Sequence, residues 1–355
     1  SDYGIFFPVH LADSYGSVIT LEDGSTITAI FDLPAAMLVL ALTYVLYAGT
    51  SASAILNTVL VIVKMSVLLL FIGVGFFNID AANYTPYIPE NTGTFGEFGV
   101  SGIVGGAALL LFAYAGFDTV ATAAQEVKNP QKAVPRGILG SLIIVAITYI
   151  AIALVLTGVV NYTMLNNGQP MAVAADVMGI PWFQTMLKLG ALIGLPSVIL
   201  VEVYAIVRVF YAMTRDGLLP KSWGKVSKKT HTPYRLTFGI GGILAITSGL
   251  FPLDHLAKLS NFGGATTFIL VCYATLYLRY TQPKLKRDFK VPFVSLIAII
   301  GIVLFAQILF TLAAQIMIFA AWWIGIMLAL YFLYGYRKSV LREFIHDHYH
   351  PHHHH

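Results

Sequence analysis

The chain has 355 residues, 57% of them hydrophobic and only 11% charged, with a formal net charge of +4 and a mean hydropathy of +0.78. Ordinary soluble domains carry about 25% charged residues, and one of this length has no interior able to hide so much apolar surface. The composition therefore excludes a soluble enzyme or binding module and indicates a polytopic protein of the lipid bilayer. The single cysteine, Cys272, sits in an apolar run, which excludes a disulfide framework or a cysteine-based metal site.

Residues 1–31 are polar, with Asp2, Asp13, Glu22 and Asp23 but no Lys or Arg. The opening SDYGIFFPVH has no initiator methionine and reads as a truncated N-terminus. Nine apolar segments then follow, at about 32–49, 55–77, 100–124, 137–160, 183–213, 236–252, 259–280, 292–311 and 313–336. Most reach the ~20 residues a helix needs to cross the hydrocarbon. The predicted fold is thus all-α and transmembrane: an external segment at 1–31, one domain over 32–336, and a tail at 337–355. The His-rich end of that tail reads as a purification tag. Asp32-Leu33-Pro34 predicts the start of the first helix, with the carboxylate as N-cap and the proline in the first turn.

Charge sets the orientation. With residues 1–31 outside, 18 of the 21 basic residues fall on the inner side, among them Lys128, Lys132, Arg136, Arg215, Lys228, Lys229, Arg235, Lys286 and Arg337. Outer loops hold Asp80, Glu90, Glu97, Asp176 and Asp254 but only Lys188 and Lys258. This positive-inside bias supports the span count and places the C-terminus in the cytoplasm. It also removes any need for a nucleic-acid partner.

The remaining basic residue is Lys64, deep in LNTVLVIVKMSVLLLFI. A charge there costs ~2.5–3.5 kcal/mol on insertion scales, so an intramembrane lysine is a functional candidate. Snorkelling toward the cytoplasmic headgroups is the plain alternative. Further on, GGAALLLFAYAGFDTVATAAQEVKNPQKAVPRG at 105–137 begins apolar, but FAYAGFD interrupts it with Gly116 and Asp118. Backbone that leaves the helix inside a bilayer needs partners from protein or a water-lined cavity. Carriers use such breaks at mid-depth, where freed peptide groups hold substrate or ions.

FAYAGFDTVATAAQEVKNPQKAVPRGI resembles the sixth-helix signature of the amino acid–polyamine–organocation transporters, and in particular the bacterial relatives of the animal cationic amino acid transporters. RVFYAMTRDGLLP at 208–220, KTHTPYR at 229–235, LRYTQPKLKRDFKVPFV at 278–294 and the Lys64 run agree with it in order and spacing. The resemblance implies a twelve-helix fold whose first ten helices form two inverted five-helix repeats. The nine segments here would be helices four to twelve. Helices one to three, with the glycine-rich break that grips the substrate carboxylate, would lie outside this sequence, so this chain alone would not transport.

On that template the carbonyls of Ala113, Tyr114, Ala115 and Gly116 accept hydrogen bonds from a substrate ammonium. Phe112 resembles the aromatic that closes over the occupied site. The competing reading is an unbroken helix whose Gly116 permits close packing. Asp118 either caps the inner half-helix or faces a polar cavity, and capping fits a carboxylate at a helix N-terminus. Glu126 and Lys128 suit loop ion pairs. Lys64 matches the fifth-helix lysine that replaces a bound sodium ion in proton-coupled relatives. Burial disfavours the charged form of a lysine, so such a group can surrender its proton during a cycle.

Glu202, in GALIGLPSVILVEVYAIVRVFYAM, departs from the apolar or small residue usual in the family. It aligns with a position lining the side-chain pocket, where an acid would pair with a cationic amino acid such as arginine. Proton carriage and an internal pair with Arg208 stand beside that reading. Pro196 predicts a kink, with Ser197 either repairing the helix or approaching Lys64. The Trp322-Trp323 pair suits packing or interfacial anchoring. His10, His231 and His255 have no metal spacing. P-loop, dinucleotide and triad motifs are missing, so neither a cofactor nor enzymatic catalysis is expected. The expected function is secondary active transport of L-amino acids across the cell membrane, coupled to protons. A neutral carrier, an exchanger, a channel and a non-transporting sensor are the alternatives, and no motif specifies a small membrane subunit as partner.

Overall fold

The computed structural model describes residues 8–21, 23–114, 116–122, 127–167 and 169–340, with backbone alone at 50–53, 112 and 313–315. The first helix, α1 (Leu33–Ala48), begins where the sequence places it. The Asp32 carboxylate accepts the Ala35 amide at 3.2 Å and Pro34 occupies the first turn, a cap worth about 1 kcal/mol. The helices α2 (Thr50–Phe76), α3 (Gly99–Ala113), α4 (Thr119–Thr122), α5 (Pro130–Val159), α6 (Pro170–Met178) and α7 (Pro181–Arg215) follow. After them come α8 (Tyr234–Leu250), α9 (Leu253–Thr281), α10 (Val294–Leu330) and α11 (Tyr336–Lys338). Ile316 leaves the helical region inside α10 (φ −127°, ψ 21°), so the kink falls about one turn past the boundary predicted between 292–311 and 313–336.

Among the described residues six helical stretches are long and apolar enough to cross a membrane: Ala54–Phe76, Pro130–Val159, Pro181–Arg215, Leu253–Thr281, Val294–Leu312 and Ile316–Lys338. Leu33–Ala48 and Gly99–Leu111 are shorter apolar helices. The structure adds one feature to the all-α expectation. Within the polar first segment, β1 (Val18–Thr20) and β2 (Thr26–Thr28) pair antiparallel, with Val18 opposite Thr28. Three-residue strands are too short to give a readable alternation.

The chain divides into two compact units. One comprises Ser1–Ser53, Glu202–Leu285 and Val291–His355; the other comprises Ala54–Val201 and Lys286–Lys290. In the first, α1 packs on α8 and α9 on α10, with Tyr47 against Phe238 and Phe268 against Phe305. In the second, Phe71, Val155, Val159, Ala174, Phe183 and Leu187 form a core contributed by α2, α5, α6 and α7.

Both units follow the rules of a lipid solvent. Ile143, Ile144, Ile147 and Ile150 of α5 are each at least 58% exposed, a costly surface in water and a neutral one against acyl chains. Helix hydroxyls are returned to their own backbone: Thr43 donates to the Val39 carbonyl, Thr148 to Ile144, Thr266 to Phe262 and Thr311 to Gln307. Hydrocarbon offers no other partner to a polar group.

Candidate functional site

The helix opened by Gly99 stops at Ala113. Residues around Gly116 form a turn, and helix resumes as the single turn of α4. Gly116 has φ +109°, a backbone that side chains with a Cβ rarely adopt. The break predicted from FAYAGFD is therefore present. Its peptide groups are partly satisfied: the Thr119 amide donates to the Gly116 carbonyl and the Ala121 amide to that of Asp118, each at 3.0 Å. Asp118 immediately precedes α4. Among the described residues its carboxylate accepts no hydrogen bond, and the turn is closed by main-chain carbonyls instead.

The Ala113 carbonyl, read from sequence as a ligand for an ammonium group, already has a partner. The Tyr149 hydroxyl of α5 donates to it at 2.8 Å, and the Tyr149 ring meets Tyr114 edge to face at 5.1 Å. A carbonyl has two lone pairs, so this bond orients the group without consuming it. Tyr149→Phe keeps the ring contact and removes only the hydroxyl. It is expected to cost about 1 kcal/mol, read as a lower unfolding midpoint and faster amide exchange at Tyr114 and Phe117. Phe112, next to last in α3, has only its backbone described, and Ala115 and Glu126 lie outside the described residues.

Lys64 lies half-buried in α2, and its Nζ donates to Ser197 Oγ at 3.2 Å. Ser197, 2% exposed, donates its hydroxyl hydrogen bond to the Gly194 carbonyl at 2.8 Å. Gly194 makes the pairing possible, because a Cβ there would sit 3.2 Å from the Lys64 Cγ and Cδ atoms. Of the two parts weighed for Ser197 from sequence, the approach to Lys64 is the one observed. Ser197 bonds the turn just before Pro196, and it receives the lysine. The carbonyl it takes is Gly194, not the Leu192 group that the proline leaves without its usual donor.

Glu202 is half-buried in α7 and belongs to the first unit, whereas the Gly116 break and the Lys64–Ser197 pair belong to the second. Two residues that the sequence reading passed over join the set. Tyr149 looks in sequence like any tyrosine of an apolar helix. Asn57 carries a buried side-chain oxygen without a hydrogen-bond partner among the described residues. It precedes Lys64 by seven residues, about two turns, and so shares its face of α2. A lone amide in an apolar segment was the available signal.

The profile described as amino acid permease matches residues 8–336 of the chain. The chain belongs to the amino acid permease family. This permease is 37% identical over 327 residues to the methylthioribose transporter of Bacillus subtilis (strain 168), covering 92% of the chain and 69% of that protein. It is 37% identical over 344 residues to the branched-chain amino acid permease BcaP of the same organism, covering 97% and 71%. Vacuolar cationic amino acid transporter 4 of Arabidopsis thaliana is 34% identical over 255 residues, covering 72% of the permease and 42% of the plant protein. The resemblance read from the motifs at 112–138, 208–220 and 229–235 is borne out, and these relatives are carriers rather than enzymes.

Proposed function

We propose that this permease moves L-amino acids across the cell membrane in symport with protons. The break at Ala113–Gly116 meets the substrate, Lys64 carries the coupling proton, and the basic end of the chain faces the cytoplasm. The observation that carries this reading is the Lys64–Ser197 bond between two apolar helices. An ammonium in that position can take the role of a bound cation and can also lose its proton, which a permanent charge cannot do. Rocking of the helix bundle that contains the break would give alternating access. Phe112 closes over the substrate, and Asp118 faces the polar cavity beneath it.

Glu202 gives the permease a preference for cationic amino acids, through a charge-assisted bond to the substrate side chain. Competition of labelled arginine uptake by unlabelled arginine, alanine and leucine tests this directly. Arginine is expected to compete best, and Glu202→Gln to weaken its apparent affinity by roughly 10-fold or more, as for a lost hydrogen bond to a charged group. Equal inhibition by all three amino acids would remove the cationic pocket. Stronger inhibition by leucine would favour the second reading, a neutral carrier, which the 37% identity to a branched-chain permease supports.

A further inference from the structure

The described polar side chains of α2 find partners, with one exception. Thr58 Oγ1 donates to the Ala54 carbonyl and Ser66 Oγ to the Ile62 carbonyl, at 2.9 and 2.7 Å. Lys64 Nζ reaches Ser197. Asn57 Oδ1 is buried and has no hydrogen-bond partner among the described residues. A buried acceptor left unpaired costs about 1–3 kcal/mol. In native proteins such a group marks stored strain, a functional role, or a bound water or ion. Asn57 lies within continuous helix, which removes backbone strain as the reason.

The lysine stem points toward this oxygen. A Cβ at Gly190 would meet the Val67 side chain, one at Gly194 would lie 3.2 Å from the Lys64 Cγ and Cδ atoms, and Lys64 Nζ ends at Ser197. Residue numbers thus rise along α7 as they fall along α2, so the two helices run antiparallel and the stem travels toward the Asn57 end of its own helix. Helical side chains lean that way because every Cα–Cβ bond tilts toward the N-terminus. Asn57 and Lys64 are about 10 Å apart along the axis. The extended ammonium covers part of that distance, and the remainder suits one water between Nζ and Oδ1. An ammonium has three N–H donors, and Ser197 takes one of them.

Depth gives the pair its direction. Ala54–Phe76 is long and apolar enough to cross a membrane, with Lys64 about 15 Å and Asn57 about 5 Å from its first residue. On the orientation proposed above, that first residue lies on the cytoplasmic side. Asn57 therefore stands between the mid-depth lysine and cytoplasmic water, on the same face of α2. The charged residues of α2 and α7 nearest to the pair are Lys188, six residues before Gly194, and Glu202, five after Ser197.

We propose that Asn57 holds a water molecule between its amide oxygen and the Lys64 ammonium, and that this water takes the coupling proton toward the cytoplasm. In that step an Nζ–H bond breaks with its electron pair staying on Nζ, and an O–H bond forms on the water. The resulting hydronium passes a proton to water at the cytoplasmic surface, while the neutral amine keeps its bond to Ser197. Asn57 Oδ1 accepts a hydrogen bond throughout and is never protonated, so Asn57 is a positioning residue. The inference rests on the proton-symport reading and adds to it the inner half of the proton's route.

The test compares Asn57→Leu, Asn57→Gln, Thr58→Val and Lys64→Ala in the full-length protein in proteoliposomes. Accumulation of labelled arginine or leucine under an imposed pH gradient would be measured beside gradient-free exchange, together with the unfolding midpoint in detergent. Asn57→Leu is expected to cut accumulation by roughly 10-fold, as for a lost hydrogen bond to a charged group, while exchange and KM stay within about 2-fold. Its unfolding midpoint should hold or rise, because leucine removes an unpaired buried acceptor, whereas loss of a merely structural asparagine would lower it. Asn57→Gln keeps an amide oxygen on that face and should restore most of the accumulation. Thr58→Val removes a hydroxyl bonded to its own helix and should change nothing. Asn57→Ala is the second variant should leucine prevent folding, with the same split between accumulation and exchange expected. Full accumulation in Asn57→Leu, with Lys64→Ala defective, overturns the inference and leaves the symport reading standing. Exchange and midpoint falling together with accumulation overturns it by assigning Asn57 to packing, as does failure of both the leucine and alanine variants to fold. An unaltered protein indifferent to the gradient removes the symport reading and, with it, the role of the water.

Discussion

Replacing Lys64 with alanine in the full-length protein is expected to abolish the dependence of amino acid uptake on the proton gradient. Lys64 donates to Ser197 from within an otherwise apolar stretch of α2, and no other described Lys or Arg lies in the interior of that helix. Without an ionisable group there, the cycle has nothing to load on one side and unload on the other. Uptake into proteoliposomes under an imposed pH gradient should fall by roughly 10-fold or more, the scale of a coupling free energy of 1–3 kcal/mol. Substrate exchange without a gradient should survive better than accumulation does. Ser197→Ala removes only the partner and should cost about 1 kcal/mol. Uptake by the alanine variant at position 64 with the original pH dependence would end the proton-coupling reading.

Substitution of Gly116 by alanine is the second large effect. The glycine holds φ +109° at the point where α3 has ended and α4 has not begun. An L-residue forced into the left-handed half of backbone space costs roughly 1–2 kcal/mol or more, so the turn must either strain or wind back toward helix. Either outcome moves the Ala113 and Gly116 carbonyls off the positions that the Tyr149 hydroxyl and Thr119 amide now fix. Uptake should fall to background, and amide exchange at Thr119 and Ala121 should change. A variant that transports normally, with unaltered exchange, would show that the break is not where substrate is held.

Much of this protein was legible in its residues because a membrane simplifies the code. Apolar length, alternating loop charge and the Asp32-Leu33-Pro34 start signal act locally, and the helix positions follow from them. The interruption at Gly116 was legible too. A glycine followed two residues later by a carboxylate weakens a helix and puts a charge where lipid does not accept one. The short β1–β2 pair and the 3.0 Å turn bonds that close the break were not legible, because they depend on backbone geometry that any polar residues could supply.

What sequence determined by itself was therefore the solvent, the helices, the family and the identity of the one deep lysine. What only the tertiary structure decided was pairing across distance. Tyr149 reaches Ala113 over 36 residues and Lys64 reaches Ser197 over 133, while Arg208 and His231 come to line one cavity from separate elements. Such partners are fixed by how helices rotate and approach, which here turns on small features such as Gly194 lying against the lysine stem. Periodicity and composition fix how each helix meets lipid, but they leave open which side chain waits on the next helix. That choice belongs to packing, because a hydrogen bond between helices forms only when both backbones have already come close enough.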